Sequence, residues 1–433
     1  MLLPALLVLT LASPPPSERV EFVFGGDIIP HGWVRQAAAD HALTDAGDAG
    51  PARSLNHEGW DPVLEPIAGV LRAADVAVVN LETPVTGNPR APTAELIFDA
   101  PPALPQALAA AGVDVVTMAN NHVFDQRRAG AVATWDSLKA AGLLHVGTGS
   151  TEAGAWEPLF VEKNGLKVGL LSLTRWLNGA RNPFYPDTAP HVAYVPYTLN
   201  AEKNELDAAA AVELVRAAAR RCDALIVLIH WGTEYWHTPS QEDRDLARGV
   251  LEAGALAIIG HHPHVLQPIE RYRTTSGRDT LVAYSLGNLV ANQDWDYIHR
   301  GARSDATGRK RDSMLLKLAL HRPQPGAPVA VEGVAVLPVW IDNIRPQVSR
   351  TQKTPRRIQP VLLDEELKLL LARQQTLPVQ SPKEPPEVRQ ERAALEQRLD
   401  LVRRRRELIF RIALPPGSRV PPVLPEPAAA SAP

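Results

Sequence analysis

Short apolar runs that end abruptly in polar residues recur along this chain from residue 20 onward, and stretches of helical spacing lie between them. The runs are 20–24, 75–79, 113–118, 144–146, 167–173, 224–229, 255–259 and 281–285. Where such a run is wholly apolar, as in 224–229 and 255–259, it reads as a strand buried on both faces, as in a parallel sheet. Helical patterning over 104–111, 129–141, 201–221 and 241–253 supplies the crossovers. Strand and helix in alternation predict an α/β protein. Two further apolar segments, 314–320 and 328–339, read as an antiparallel pair that closes a body covering about residues 20–345.

The polar residues after each run carry the chemistry. Residues 20–24 lead into Gly25-Gly26-Asp27, 75–79 into Asn80-Leu81-Glu82, and 113–118 into Asn120-Asn121-His122. Residues 224–229 lead into His230-Trp231-Gly232-Thr233-Glu234, and 255–259 into Gly260-His261-His262-Pro263-His264. His230 and His262 stand 32 positions apart, the size of a strand-helix-strand unit. Such a right-handed crossover returns both strand ends to one edge of the sheet, where open α/β sheets bind ligands.

Counting His31, six of the 13 histidines fall in these few segments, which a scatter of core histidines would not do. Imidazole, carboxylate and amide oxygen form a borderline-hard donor set suited to one or two divalent ions such as Zn, Mn or Fe. Taken singly, Asp27 could be a helix cap and His230 a satisfied core residue. Three imidazoles in four residues around Pro263 have no packing purpose. Beside them, Trp231, Tyr235 and Trp236 either line a substrate cleft or pack its rim.

Composition adds limits. A formal net charge of -3 gives no electrostatic reason to expect nucleic acid as a partner. The lone cysteine, Cys222, cannot form an internal disulfide and reads as a packed structural thiol. Residues 1–12 are almost wholly apolar, and the small pair Ala12-Ser13 resembles a cleavage point, so residues 1–19 read as a secretory signal segment, although basic residues are missing at its start. Export to the periplasm or cell envelope is therefore expected, with a cytoplasmic location the alternative. Residues 346–412 read as a proline-rich linker and a charged helix (388–408) whose Arg403–Arg406 run would be a solvated face. Residues 413–433, rich in Pro and Ala, read as disordered. Oligomeric state is not legible.

The ordered blocks GGDIIPHG, NLETPVTG, ANNHVFDQ, IHWGTEYW, GHHPHVLQPIE and YSLGNLVANQ, spread over residues 20–295, resemble the CapA family of poly-gamma-glutamate capsule biosynthesis (PgsA-like) proteins. That family resembles a branch of the calcineurin-like metallophosphoesterases. The resemblance implies a four-layer α/β/β/α sandwich, here with a small C-terminal helical extension. It also implies metal ligands at Asp27, Glu82 (as the bridge), Asn121, His230, His262 and His264, with His122 and Glu82 as catalytic residues. His31, His261, Glu234, Trp231, Tyr235 and Asn288 would support the site or face the substrate. Three departures mark this chain. His31 follows Asp27 by four positions instead of two, Glu82 replaces an aspartate, and His261 lengthens the closing loop. One ion or two are both consistent with this pattern. The implied activity is a metal-dependent hydrolase or transferase acting on a capsular polymer at the envelope, with peripheral membrane association. The alternatives are a phosphoesterase for small or lipid-linked phosphoesters and a non-catalytic, polymer-binding assembly factor.

Overall fold

The computed structural model describes residues 18–48, 57–88, 96–201, 205–300, 307–344 and 356–415, together with 418 and 421. Residues 1–17 of the segment expected to be a signal, and most of the Pro/Ala tail, lie outside the described residues; Arg19, the last residue of that segment, already opens the first strand. In chain order the strands are β1 (Arg19–Ile28), β2 (Val76–Leu81), β3 (Val115–Thr117), β4 (Leu144–Val146), β5 (Thr148–Gly149), β6 (Leu159–Lys163), β7 (Leu166–Thr174) and β8 (His191–Val192). They continue with β9 (Ala224–His230), β10 (Ala257–His261), β11 (Ile269–Arg273), β12 (Asp279–Ala283), β13 (Asn288–Val290), β14 (Asp312–His321), β15 (Ala330–Ile344) and β16 (Arg357–Leu362). One sheet runs β16-β15-β14-β1-β2-β3-β4, with β13 also paired to β1; a second runs β11-β12-β10-β9-β7-β6. Within them β1 to β4 are mutually parallel, as are β7, β9, β10 and β12.

Side chains alternate across a strand, so an all-apolar run must bury two faces at once. Phe22 and Phe24 of β1, Val76 and Val78 of β2, and Ala224, Ile226 and Leu228 of β9 share one core between the sheets. Their neighbours point outward. Val23, Ala77 and Val79 pack under the helices Trp60–Arg72, Ala103–Ala111 and Arg127–Ala141. Leu225, Val227 and Ile229 pack under Ala208–Ala219 and Gln241–Glu252. Three cores between four layers make the α/β/β/α sandwich. The helix expected over 201–221 is shorter because the Asp207 side chain accepts from Ala210 N and caps it there.

The C-terminal third departs from the sequence reading. The proline-rich stretch expected as a linker contributes β16, an edge strand antiparallel to β15, and an edge is where a strand tolerates Pro360. The final helix, Pro386–Ala413, inserts Leu395, Leu399, Val402 and Ile409 into the same inter-sheet core as Met314, Leu316 and Trp340. The expected solvated arginine face is corrected by this packing. Arg405 and Arg406 are buried, while Arg403 is exposed. Arg405 donates from Nε and Nη2 to the two oxygens of buried Asp312 at 2.8 and 2.7 Å, and its guanidinium lies over the Trp340 ring at 4.7 Å. Arg406 pairs with Asp364.

Removing one partner of such a pair leaves a buried charge uncompensated. Arg405→Ala should therefore lower the free energy of unfolding by about 3–5 kcal/mol, read from the urea midpoint. Joint replacement by Asp312→Leu and Arg405→Leu should recover most of that loss.

Candidate metal centre

Strand periodicity continues past the apolar runs and aims the polar residues. On β9 the inward series Ala224, Ile226, Leu228 ends in His230; on β10 the inward pair Ala257, Ile259 is followed by His261. His230 and His261 are direct partners in the parallel register of the two strands. On β2, Val76 and Val78 are followed inward by Asn80, and on β3 Val115 is followed by Thr117.

Asp27 should break this pattern, because Phe22 and Phe24 face inward and 27 is an odd number of steps away. The pairing of β1 with β2 runs Phe24↔Val78 and then Asp27↔Asn80, so β1 carries one extra residue. That bulge, at Gly25-Gly26, resets the alternation and turns Asp27 inward. Gly26 is required there, since a Cβ on it would lie 1.9 Å from the Gly287 carbonyl oxygen. The sequence motif thus encodes a change of face.

The strand ends converge on Glu82. Its Oε1 lies 3.6 Å from His230 Nε2 and 3.8 Å from His264 Nε2, is fully buried, and has no hydrogen-bond partner. His264 Nδ1 is 3.2 Å from Asp27 Oδ2 and 3.1 Å from Asn288 Oδ1. His230 Nε2 lies 2.8 Å from Asn121 Oδ1, and Asn121 Nδ2 donates to Asn178 Oδ1 at 3.2 Å. His262 Nδ1 is buried without a partner. The backbone at His262 and His264 has φ of 97° and 55°, in the left-handed region that side chains avoid. Such strain is retained where surrounding structure enforces it, often at functional sites.

Titration behaviour follows burial. Burial, with the nearby Asp27, Glu234 and Asp125 charges, pushes the Glu82 carboxyl well above its ordinary range. Burial would also raise Asp27, but His264 and Asn80 hydrogen bonds hold it below the usual value. Burial, with His264 nearby, takes His262 down to about 3, and burial with the neighbouring histidines takes His230 well down too. Neutral imidazoles with a free nitrogen are the ligating form. Donor atoms of Glu82, His262 and His264 lie within 4.8 Å of one another, as do those of Asp27, Glu82 and His230. The partnerless oxygen of Glu82 is common to both groups. The residues fit one or two divalent cations, and a cation would reverse the upward pressure on Glu82.

The other candidates divide. His261 turns to β1, its ring Nε2 3.2 Å from the Gly25 carbonyl oxygen at the bulge, and so ties the sheets together. Asn288 braces His264 from two sides, accepting at Oδ1 and donating from Nδ2 to the His264 carbonyl at 3.3 Å. His122 sits on the Asn121 loop with Nδ1 2.8 Å from Asp125 Oδ2. His31 stands outside both donor groups, its ring 5.2 Å from that of Phe98, in the wall of a cavity of about 820 Å³. Tyr235, its ring 6.1 Å from that of His264, lines the same cavity with Trp33, Trp295 and Lys310. Glu234 is exposed. Trp231 lines no cleft. It continues the outward series Leu225, Val227, Ile229, is fully buried against the helices, and donates to the Tyr284 carbonyl at 2.9 Å. Sequence reasoning gave no site role to Asn80, Asp125 or Asn178. Asn80 and Asp125 carried a signal, since they lie within the blocks NLETPVTG and ANNHVFDQ, whereas Asn178 lies outside them.

Facing sheets between helices, with nitrogen and oxygen donors gathered at their carboxyl edges, define a metallophosphoesterase-like protein. The chain belongs to the bacterial capsule synthesis protein PGA_cap family, whose model matches residues 21–293 and which falls within that superfamily. It is 29% identical over 295 residues to the PGA biosynthesis protein CapA of Bacillus subtilis (strain 168), covering 66% of this chain and 70% of that one. It is 28% identical over 286 residues to the capsule biosynthesis protein CapA of Bacillus anthracis, covering 64% and 65%. The match thus spans about two thirds of each relative's length. A hypothetical protein from Thermus thermophilus superimposes with a TM-score of 0.39 at 12% identity, over 73% of this chain and 98% of that one.

Because the bulge leaves no room for a methyl group, Gly26→Ala should destabilise the fold by about 1–3 kcal/mol, seen as a lowered thermal midpoint.

Proposed function

We propose that this protein is a metal-dependent hydrolase or transferase that acts on a capsular polymer, or on its precursor, at the cell envelope. The observation that carries the reading is the buried, partnerless Oε1 of Glu82, ringed by His230 and His264 and adjoining Asp27 and His262. A fully buried carboxylate oxygen without a hydrogen-bond donor is costly unless a positive charge compensates it. Asp27, Glu82, Asn121, His230, His262 and His264 would hold Zn, Mn or Fe, which when bound supplies Lewis-acid polarisation and activation of water.

The protein's own groups account for the rest. Asp125 accepts from His122 Nδ1 and also from Phe98 N at 2.7 Å, which holds the imidazole in one orientation. His122 Nε2 is thereby left to hold or deliver a proton to a leaving group. The cavity walled by Trp33, Tyr235 and Trp295 gives an extended substrate a surface beside His264. The names of the Bacillus relatives, both CapA, point to capsule synthesis as the setting. Location at the envelope rests on that family link and on the apolar residues 1–12; among the described residues no helix is long and apolar enough to cross a membrane.

The test is metal analysis of the purified protein, followed by assay on γ-glutamyl peptides and on a generic phosphodiester. Bound transition metal, together with turnover that falls at least about 100-fold in His262→Ala and Glu82→Ala, is the expected result. Absence of bound transition metal would overturn the reading. Turnover of the phosphodiester alone would replace the polymer substrate with a phosphoester.

A further inference from the structure

Asn80 lies at the centre of the cluster without belonging to either donor group. The amide's orientation can be read from backbone atoms whose polarity is unambiguous. His122 N donates to Asn120 Oδ1 at 3.2 Å, and Asn120 Nδ2 donates to the Leu81 carbonyl at 2.9 Å. Those two contacts settle which end of Asn120 is nitrogen. The same Nδ2 faces Asn80 Oδ1 at 3.2 Å, and the Thr117 hydroxyl donates to that oxygen at 2.8 Å. Asn80 therefore turns its NH2 group the other way, toward the carboxylates.

That NH2 group donates to Asp27 Oδ1 at 2.8 Å and lies 3.4 Å from both Glu82 Oε2 and His230 Nδ1. One hydrogen serves Asp27, and the second is shared between Glu82 and His230. On each carboxylate the contact occupies one oxygen. The other oxygens, Asp27 Oδ2 and Glu82 Oε1, are those nearest the histidines. All of these groups are buried away from bulk solvent.

We infer that Asn80 is the positioning residue of the metal centre: its NH2 group engages Asp27 Oδ1 and Glu82 Oε2 and so presents Asp27 Oδ2 and Glu82 Oε1 to the ions. Thr117 and Asn120 act one step further back by fixing the amide. This assignment rests on the metal-dependent reading given above. Groups that orient ligands in this way typically contribute 10–100-fold to metal affinity.

The test uses the full chain loaded with cobalt(II), with affinity measured by chelator competition and ligand geometry by the visible absorption spectrum. Wild-type protein that binds no cobalt or zinc would overturn the metal reading itself, and this inference with it. With wild-type binding established, Asn80→Ala should weaken cobalt affinity about 10–100-fold and shift the absorption bands. Thr117→Val keeps the shape of the side chain and removes only the donor to Asn80; it should shift the bands in the same direction with a smaller loss of affinity. Circular dichroism melting identifies any variant that has not folded, and if Asn80→Ala is such a case Thr117→Val decides alone. Wild-type affinity and an unchanged spectrum in the folded variants would overturn the positioning role while leaving the metal centre in place.

Discussion

A carboxylate taken out of water must be neutralised or paired, and the site around Glu82 is organised by that requirement. Glu82 has no exposure, shares its surroundings with the buried Asp27 carboxylate, and keeps one oxygen unpartnered. Two buried carboxylates side by side repel, and within this chain the compensation comes from neutral donors: the Asn80 amide and the histidine rings. None of these carries a full positive charge when the imidazoles are neutral. The arrangement is therefore short of positive charge at its centre, which a divalent cation would supply.

The scaffold meets that requirement through the two-residue period of its strands. Because both sheets send alternate residues into one shared core, the residues that follow the apolar runs inherit the inward direction. His230, His261, Asn80 and Thr117 arrive between the sheets this way, and Asp27 joins them through the bulge at Gly25-Gly26. His261 then bonds back to that bulge, so the second sheet braces the feature that aims the first sheet's carboxylate. Site geometry and sheet packing are coupled at this point. At the far side of the same core, the C-terminal helix covers β14 and β15 and is anchored by the Arg405–Asp312 pair.

Much of the fold was legible in the chain. Short apolar runs set between helical stretches located the parallel strands, because only a strand buried on both faces reads that way. Capping was legible in principle as well: Asp207 and the Ser240–Asp243 capping box begin their helices where the side chains can reach the free N–H groups. The two-residue strands β5 and β8 were not legible, since two residues carry no periodicity. Nor was the fate of the arginine run. A charged helix looks solvated until a buried acid such as Asp312 is placed opposite it, and that acid lies 93 residues away in sequence.

By itself, the sequence determined which residue types stand at the strand ends, and so the nitrogen and oxygen donor chemistry and the family. Only the tertiary structure decided which of them meet. Trp231 and His230 are neighbours in the chain, yet one packs under helices and the other faces Glu82, because adjacent strand residues point to opposite faces. His31 and Asp27 lie four positions apart and are separated by the end of β1, so only Asp27 enters a donor group. Asn80 stood in the sequence only as part of a strand-end motif, and the fold makes it the amide between two carboxylates. Its role depends on Thr117 and Asn120, which reach it only when β2 and β3 pair.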